Sequence, residues 1–173
     1  MTPPNPAASK RARLRSLARV AERVEHEFKD LDILDRALTH ASAGNMGKAN
    51  YERLEFLGDA FLGFAVADQL YRKEPEIAEG ELTEARAALV SRQPLARIAK
   101  NLGLSTALET GRGMDIAALE SPRIQADLVE AVLAAIYLDG GVRSARKFVR
   151  KFVMPALADY QDSRARRDSQ SRL

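Results

Sequence analysis

The sequence predicts an all-α domain, and three observations carry that expectation. Apolar residues recur at alternating steps of three and four, the period that lines one face of a helix. Capping residues, prolines and glycines punctuate these runs at helix-length intervals. No segment reads as a strand, and no internal repeat occurs.

Leu14, Leu17, Ala21, Val24 and Phe28 form the first apolar stripe, with Arg and Glu on the opposite face, after a Pro-rich start expected to be flexible over residues 1–9. Asp30 is placed to cap a short helix over 31–38, and residues 43–48, with two glycines and an asparagine, read as a loop. A long helix is expected over 50–72, stopped before Pro75. Glu79-Gly80 reads as a turn into a helix over 81–90, and Pro94 suits the first turn of another, closed by Gly103. Residues 105–120 show no clear period. Ser121-Pro122 then caps and opens a helix expected to reach residue 138 and to end at Gly140-Gly141. The last helix, over 142–160, should kink or break at Pro155 and leave an Arg/Ser/Asp tail.

With 173 residues, 46% of them hydrophobic, the chain fits one domain with a core large enough to stand without staples. It has no cysteine, so a bound metal would need oxygen or imidazole ligands, and a reducing cytoplasm is the expected location. No stretch approaches the roughly 20 apolar residues of a membrane span, and no apolar segment follows the basic start. A soluble protein without a membrane partner is expected.

Of the formal net charge of +3, residues 1–20 supply five positive charges and residues 159–173 a net of one, so the core between them carries −3. A polyanion-binding protein with an acidic core makes sense where the acids hold divalent cations that reverse the local field. The acids sit in suggestive places. The segment 51–64 is apolar nearly all round after its first turn, yet Glu52, Glu55 and Asp59 share one of its faces. The segment 124–138 is apolar except for Asp127 and Glu130, three residues apart. Like charges on buried helices cost several kcal/mol or force protonation unless a cation or hydrogen-bond donors offset them. Two such helices packed together could present four carboxylates to one point, a hard-cation site suited to Mg²⁺ and so to phosphoryl transfer.

Other chemistries have less support. Neither histidine, His26 or His40, has a carboxylate three residues before it, which disfavours a di-iron bundle, and His40 reads as structural. No P-loop or dinucleotide-binding glycine turn occurs. Gly58 and Gly63 read as small residues that permit close helix packing.

The segment Glu52-Arg53-Leu54-Glu55-Phe56-Leu57-Gly58-Asp59 resembles the signature of the ribonuclease III family. Ala37-Leu38-Thr39-His40-Ala41-Ser42, Glu79-Gly80 with Arg86-Ala87-Ala88-Leu89-Val90, and Ala126-Asp127-Leu128-Val129-Glu130-Ala131 extend the resemblance over residues 15–160, in family order. It implies a multi-helix endonuclease domain, at residues 10–160, that dimerises through the signature helix. It implies metal ligation by Glu55, Asp59, Asp127 and Glu130, with Asp59 and Glu130 catalytic, and a contact to RNA or a second metal from Glu52 and Glu79. Phe56 is the candidate interface anchor, with an intrachain core position as its alternative. The implied cofactor is Mg²⁺, with Mn²⁺ as a substitute. The implied reaction is cleavage of double-stranded RNA by metal-activated water in rRNA and mRNA processing. Its products carry 5′-phosphate and 3′-hydroxyl ends with two-nucleotide 3′ overhangs. Residues 161–173 resemble a linker and the opening of the family's C-terminal double-stranded-RNA-binding domain, cut short, so weak and salt-sensitive RNA affinity is expected. The competing class is a non-catalytic dimeric RNA-binding or ribosome-associated module of the same fold; the presence of every matching acid favours the enzyme.

Overall fold

The computed structural model describes residues 5–172; residues 1–4 of the expected flexible start, and Leu173, lie outside them. Helix α1 (Pro6–Arg23) begins earlier than expected, because Asn5 accepts a hydrogen bond from the Ala7 N–H and Pro6 opens the first turn. Leu17 and Val20 are buried, but the expected stripe does not run as one helix to Phe28. Glu25 adopts a left-handed φ of 57°, which turns the chain out of the helical path, and Phe28 reaches the core edge from a separate segment.

Helix α2 (Leu31–Ala37) is capped by Asp30 as expected. A short 3₁₀ segment, Ala41–Met46, leads to α3 (Glu52–Lys73), whose exposed Glu52 N–H is met by the Asn50 side chain. Helix α4 (Glu79–Leu89) takes Glu79 and Gly80 into its first turn, where a turn ahead of the helix was expected. Helix α5 (Arg92–Asn101) holds Pro94 in its first turn and is followed by Gly103 at φ 63°. Within 105–120 the chain forms a one-turn helix, α6 (Ile116–Leu119), capped by Asp115, which had no periodic signal because one turn is too short to show one. A single bridge between Thr39 and Glu109 is the only β-pairing among the described residues, so the fold is all-α.

Helix α7 (Pro122–Phe148) is the axis of the core. Ser121 caps it, and residues 128–136 are buried almost without exception. The expected break is there: Gly141 leaves helical geometry at φ 82°, ψ −177°, and the helix resumes beyond it. A π-turn, Val149–Val153, precedes Pro155. The chain then continues as α8 (Ala156–Gln170), where a tail was expected. Tertiary contacts explain that difference. Arg164 pairs with Glu81 at 3.0 Å on α4, the Gln161 amide donates to Glu74 at the end of α3 at 3.0 Å, and Leu157 and Tyr160 pack against the core.

Helices α3 and α5 flank α7, and the α3–α7 crossing is close. A Cβ added at Gly58 would stand 1.8 Å from the Glu130 carbonyl oxygen. Gly63, expected to serve the same purpose, has open space around it in this chain.

Gly58→Ala should therefore force the two central helices apart and destabilise the fold by at least the 1–3 kcal/mol typical of overpacking, whereas Gly63→Ala should leave stability within about 0.5 kcal/mol or raise it through helix propensity. Urea unfolding of the two variants checks both.

Candidate metal centre

The close crossing brings the acids of α3 and α7 together. Glu55, Asp127 and Glu130 each offer a carboxylate oxygen within 4.8 Å of the others. Asp59, one turn beyond Glu55, lies at the exposed rim, where its charge acts on Glu130. Glu52 is exposed and lines the cleft leading to the cluster, together with Glu55 and Asp127. Glu79 is not among the converging residues; its carboxylate accepts from the Thr83 hydroxyl at 2.8 Å on α4. Phe56 is 79% exposed, so the alternative of an intrachain core position does not hold.

The cluster is electrostatically frustrated. Glu130 is 9% exposed, and burial, followed by the like charges of Asp59, Glu55 and Asp127, pushes its carboxyl up to about 8. Burial and the neighbouring Asp127 and Asp59 also raise Glu55. Asp127 is raised by burial, against the pull of Arg123, a hydrogen bond from Tyr51, and the smaller pulls of Arg92 and His40. The Tyr51 hydroxyl donates to Asp127 at 3.5 Å, and its burial beside these acids raises it to about 12.

Three residues of this site have no part in the acidic pattern. Tyr51 stands immediately before α3 with its hydroxyl turned toward Asp127. His40, read as structural, does accept the Ser42 N–H at Nδ1 (3.0 Å), but its ring also lines the cleft. Arg123 lines it too, and its position one helical turn before Asp127 was a legible signal. The cleft encloses about 490 Å³.

The donor set fits a hard divalent cation: the converging ligands are all oxygen, their charges lack an ion pair within the cluster, and one side is open to water and substrate. Mg²⁺ takes one or two carboxylates, waters and phosphate oxygens in this way.

Comparison with known proteins gives a consistent family. A family profile described as Ribonuclease-III-like matches residues 30–157. Ribonuclease 3 of Brucella canis and that of Brucella suis are each 44% identical over 155 residues, covering 88% of this chain and 62% of their own length. The chain thus spans under two thirds of these curated relatives. Among solved structures, the nuclease domain of ribonuclease III from Campylobacter jejuni superposes with a TM-score of 0.72 at 35% identity, covering 79% of this chain and 95% of that one. Dicer from Giardia intestinalis matches with a TM-score of 0.66 at 28% identity, over 83% of this chain and 19% of that one.

Glu130 binds its proton more tightly folded than unfolded, so without divalent cations stability should fall as pH rises from about 4.5 to about 8. Glu130→Gln keeps the shape and removes the charge. In EDTA it should melt above the wild type at pH 8, by up to a few kcal/mol of stability, and with it at pH 4.5. Thermal denaturation at both pH values checks the sign; a wild type more stable at pH 8 than the variant contradicts it.

Proposed function

The chain belongs to the ribonuclease III family, and on that premise we propose that it is an Mg²⁺-dependent endonuclease that cuts double-stranded RNA as a homodimer. The observation that carries the reading is the convergence of Glu55, Asp127 and Glu130 at the α3–α7 crossing, with Asp59 at its rim.

In this reading Glu55, Asp59, Asp127 and Glu130 hold the cation, with Mn²⁺ as a substitute. Bound there, Mg²⁺ supplies Lewis acidity for activating the attacking water and for offsetting charge that develops on the phosphate. Burial of Glu130 keeps one carboxylate in place where water would otherwise compete for it, and the Tyr51 hydroxyl orients Asp127. Glu52 faces the RNA or a second cation from the cleft mouth, and Glu79 is a candidate contact further along the duplex. Double-stranded RNA is recognised by A-form shape, backbone and 2′-hydroxyls rather than base sequence. Cleavage leaves 5′-phosphate and 3′-hydroxyl ends with two-nucleotide 3′ overhangs, and the 2′-hydroxyl is not the nucleophile. Cytoplasmic rRNA and mRNA processing is the corresponding role, and it rests on family membership alone.

The dimer reading has its own support. Phe56, Phe64 and Tyr71 are 79%, 57% and 75% exposed and share one face of α3 with Ala60 and Gly63. Large exposed apolar stripes of this kind mark protein contacts. Beside Phe56 lies a recess of about 960 Å³ lined in part by Arg36, Leu57 and Leu138. A two-fold contact is self-complementary, so each Phe56 would enter the partner's recess. The nuclease domain from Campylobacter jejuni is described as having a region involved in dimer formation.

The first test is incubation with a labelled, perfectly paired RNA of several dozen base pairs at low salt, in Mg²⁺ or EDTA. Cutting in Mg²⁺ alone to short duplexes with 5′-phosphates is expected, and binding without cutting favours the non-catalytic module. Glu130→Gln should abolish cutting and leave the dimer intact; full activity in that variant removes the site assignment. Phe56→Lys should give a folded monomer by light scattering, since the side chain is solvent-exposed in the single chain.

A further inference from the structure

We propose that Arg123, with His40 beside it, contacts the sugar–phosphate backbone of the RNA at the carboxylate cleft, as a substrate-positioning pair that the acidic pattern does not include. This deepens the double-stranded-RNA reading above and rests on it.

The first support is placement. Arg123 and His40 line the same cleft as Glu52, Glu55 and Asp127, so a phosphate reaching the acids passes both. Arg123 is exposed and forms no ion pair among the described residues, although Asp127 follows it by one helical turn.

The second support is that Arg123 stands at the unfavourable end of its own helix. It occupies the first turn of the 27-residue α7, which has no acid there. A cation at that end opposes the helix dipole. An arginine held against the dipole, exposed and in no ion-pair contact, is suited to an anion that arrives from solution, and a guanidinium can take two phosphate oxygens at once.

His40 adds a fixed donor. Its Nδ1 accepts the Ser42 N–H at 3.0 Å, and Ser42 is itself tied down by accepting from the Gly111 N–H at 3.0 Å. The tautomer that accepts at Nδ1 carries its proton on Nε2, and that nitrogen has no hydrogen-bond partner among the described residues. The cleft therefore combines acids that attract cations with two donors that suit phosphate, which offsets the repulsion between an acidic core and a polyanion.

The competing role for Arg123 is an internal counter-ion to Glu55 and Asp127, and the two roles differ in sign. The test measures binding of a paired RNA of several dozen base pairs by fluorescence anisotropy across a salt series, with Ca²⁺ replacing Mg²⁺. Mn²⁺ affinity of the RNA-free protein is measured by titration calorimetry. Arg123→Gln is expected to weaken RNA binding roughly fivefold or more and to lower the slope of log affinity against log salt by about 1. Its Mn²⁺ affinity should be unchanged or tighter, and its melting temperature no lower than wild type. Arg123→Lys should recover part of the loss, and His40→Gln should weaken RNA binding without loss of Mn²⁺ affinity. RNA affinity and salt slope equal to wild type in Arg123→Gln overturn the proposal. So does a loss of Mn²⁺ affinity that matches the loss of RNA affinity, which would place Arg123 within the metal centre. If the wild type binds no duplex, the reading of the substrate itself fails, and this inference with it.

Discussion

The approach of α3 to α7 at Gly58 is the constraint on which the rest depends. With a Cβ position 1.8 Å from the Glu130 carbonyl, only a residue without a side chain lets the two backbones lie so close. That contact sets the reach of Glu55 from one helix toward Asp127 and Glu130 on the other. Ligand atoms within 4.8 Å of one another accord with helices held at this separation. The signature glycine and the signature acids are thus one geometric device.

The fold carries this device at a cost in electrostatics. Three carboxylates meet without a lysine or arginine in ion-pair contact, and the most buried of them, Glu130, is driven to about 8. Nothing in the packing of α7 needs a charge there: its neighbours Val129, Ala131, Val132 and Leu133 are all buried and apolar, and a neutral side chain would be more comfortable. Residues that break the pattern of a core without an evident structural gain belong to function more often than to stability. The surrounding helices offset the cost by burying a continuous apolar core through α3, α5 and α7.

Much of this was legible in the residues themselves. The three-and-four spacing of Glu52, Glu55 and Asp59, and the pair Asp127 and Glu130 inside an apolar run, announced one face each; what no single helix could show was that the faces meet. The fold class and most helix boundaries followed from caps and breakers, including the stop at Gly141. The misses have physical reasons. Asn5-Pro6 is the same cap-plus-proline signal as Ser121-Pro122, but it stood in a Pro-rich start and carried no apolar stripe of its own. Helix α8 is polar beyond Tyr160 and is held there by Arg164 on α4 and by Gln161 on the end of α3, contacts no local pattern encodes. Gly63 was read as a packing glycine within the chain, where the structure leaves open space.

That open space has meaning once the angular layout of α3 is considered. At about 100° per residue, Ala60, Gly63, Phe64 and Tyr71 fall with Phe56 in one sector of roughly 100°, and Glu52, Glu55 and Asp59 occupy the sector next to it. A rigid helix that carries both sectors cannot present its exposed stripe to a second copy without fixing where the acids of both copies lie. In the proposed dimer the separation of the two carboxylate clusters would be set by α3 and not by any loop. Assembly and chemistry would there be coupled through a single element, and a change on the apolar sector would act on the acids through the orientation of the helix rather than through contact with them.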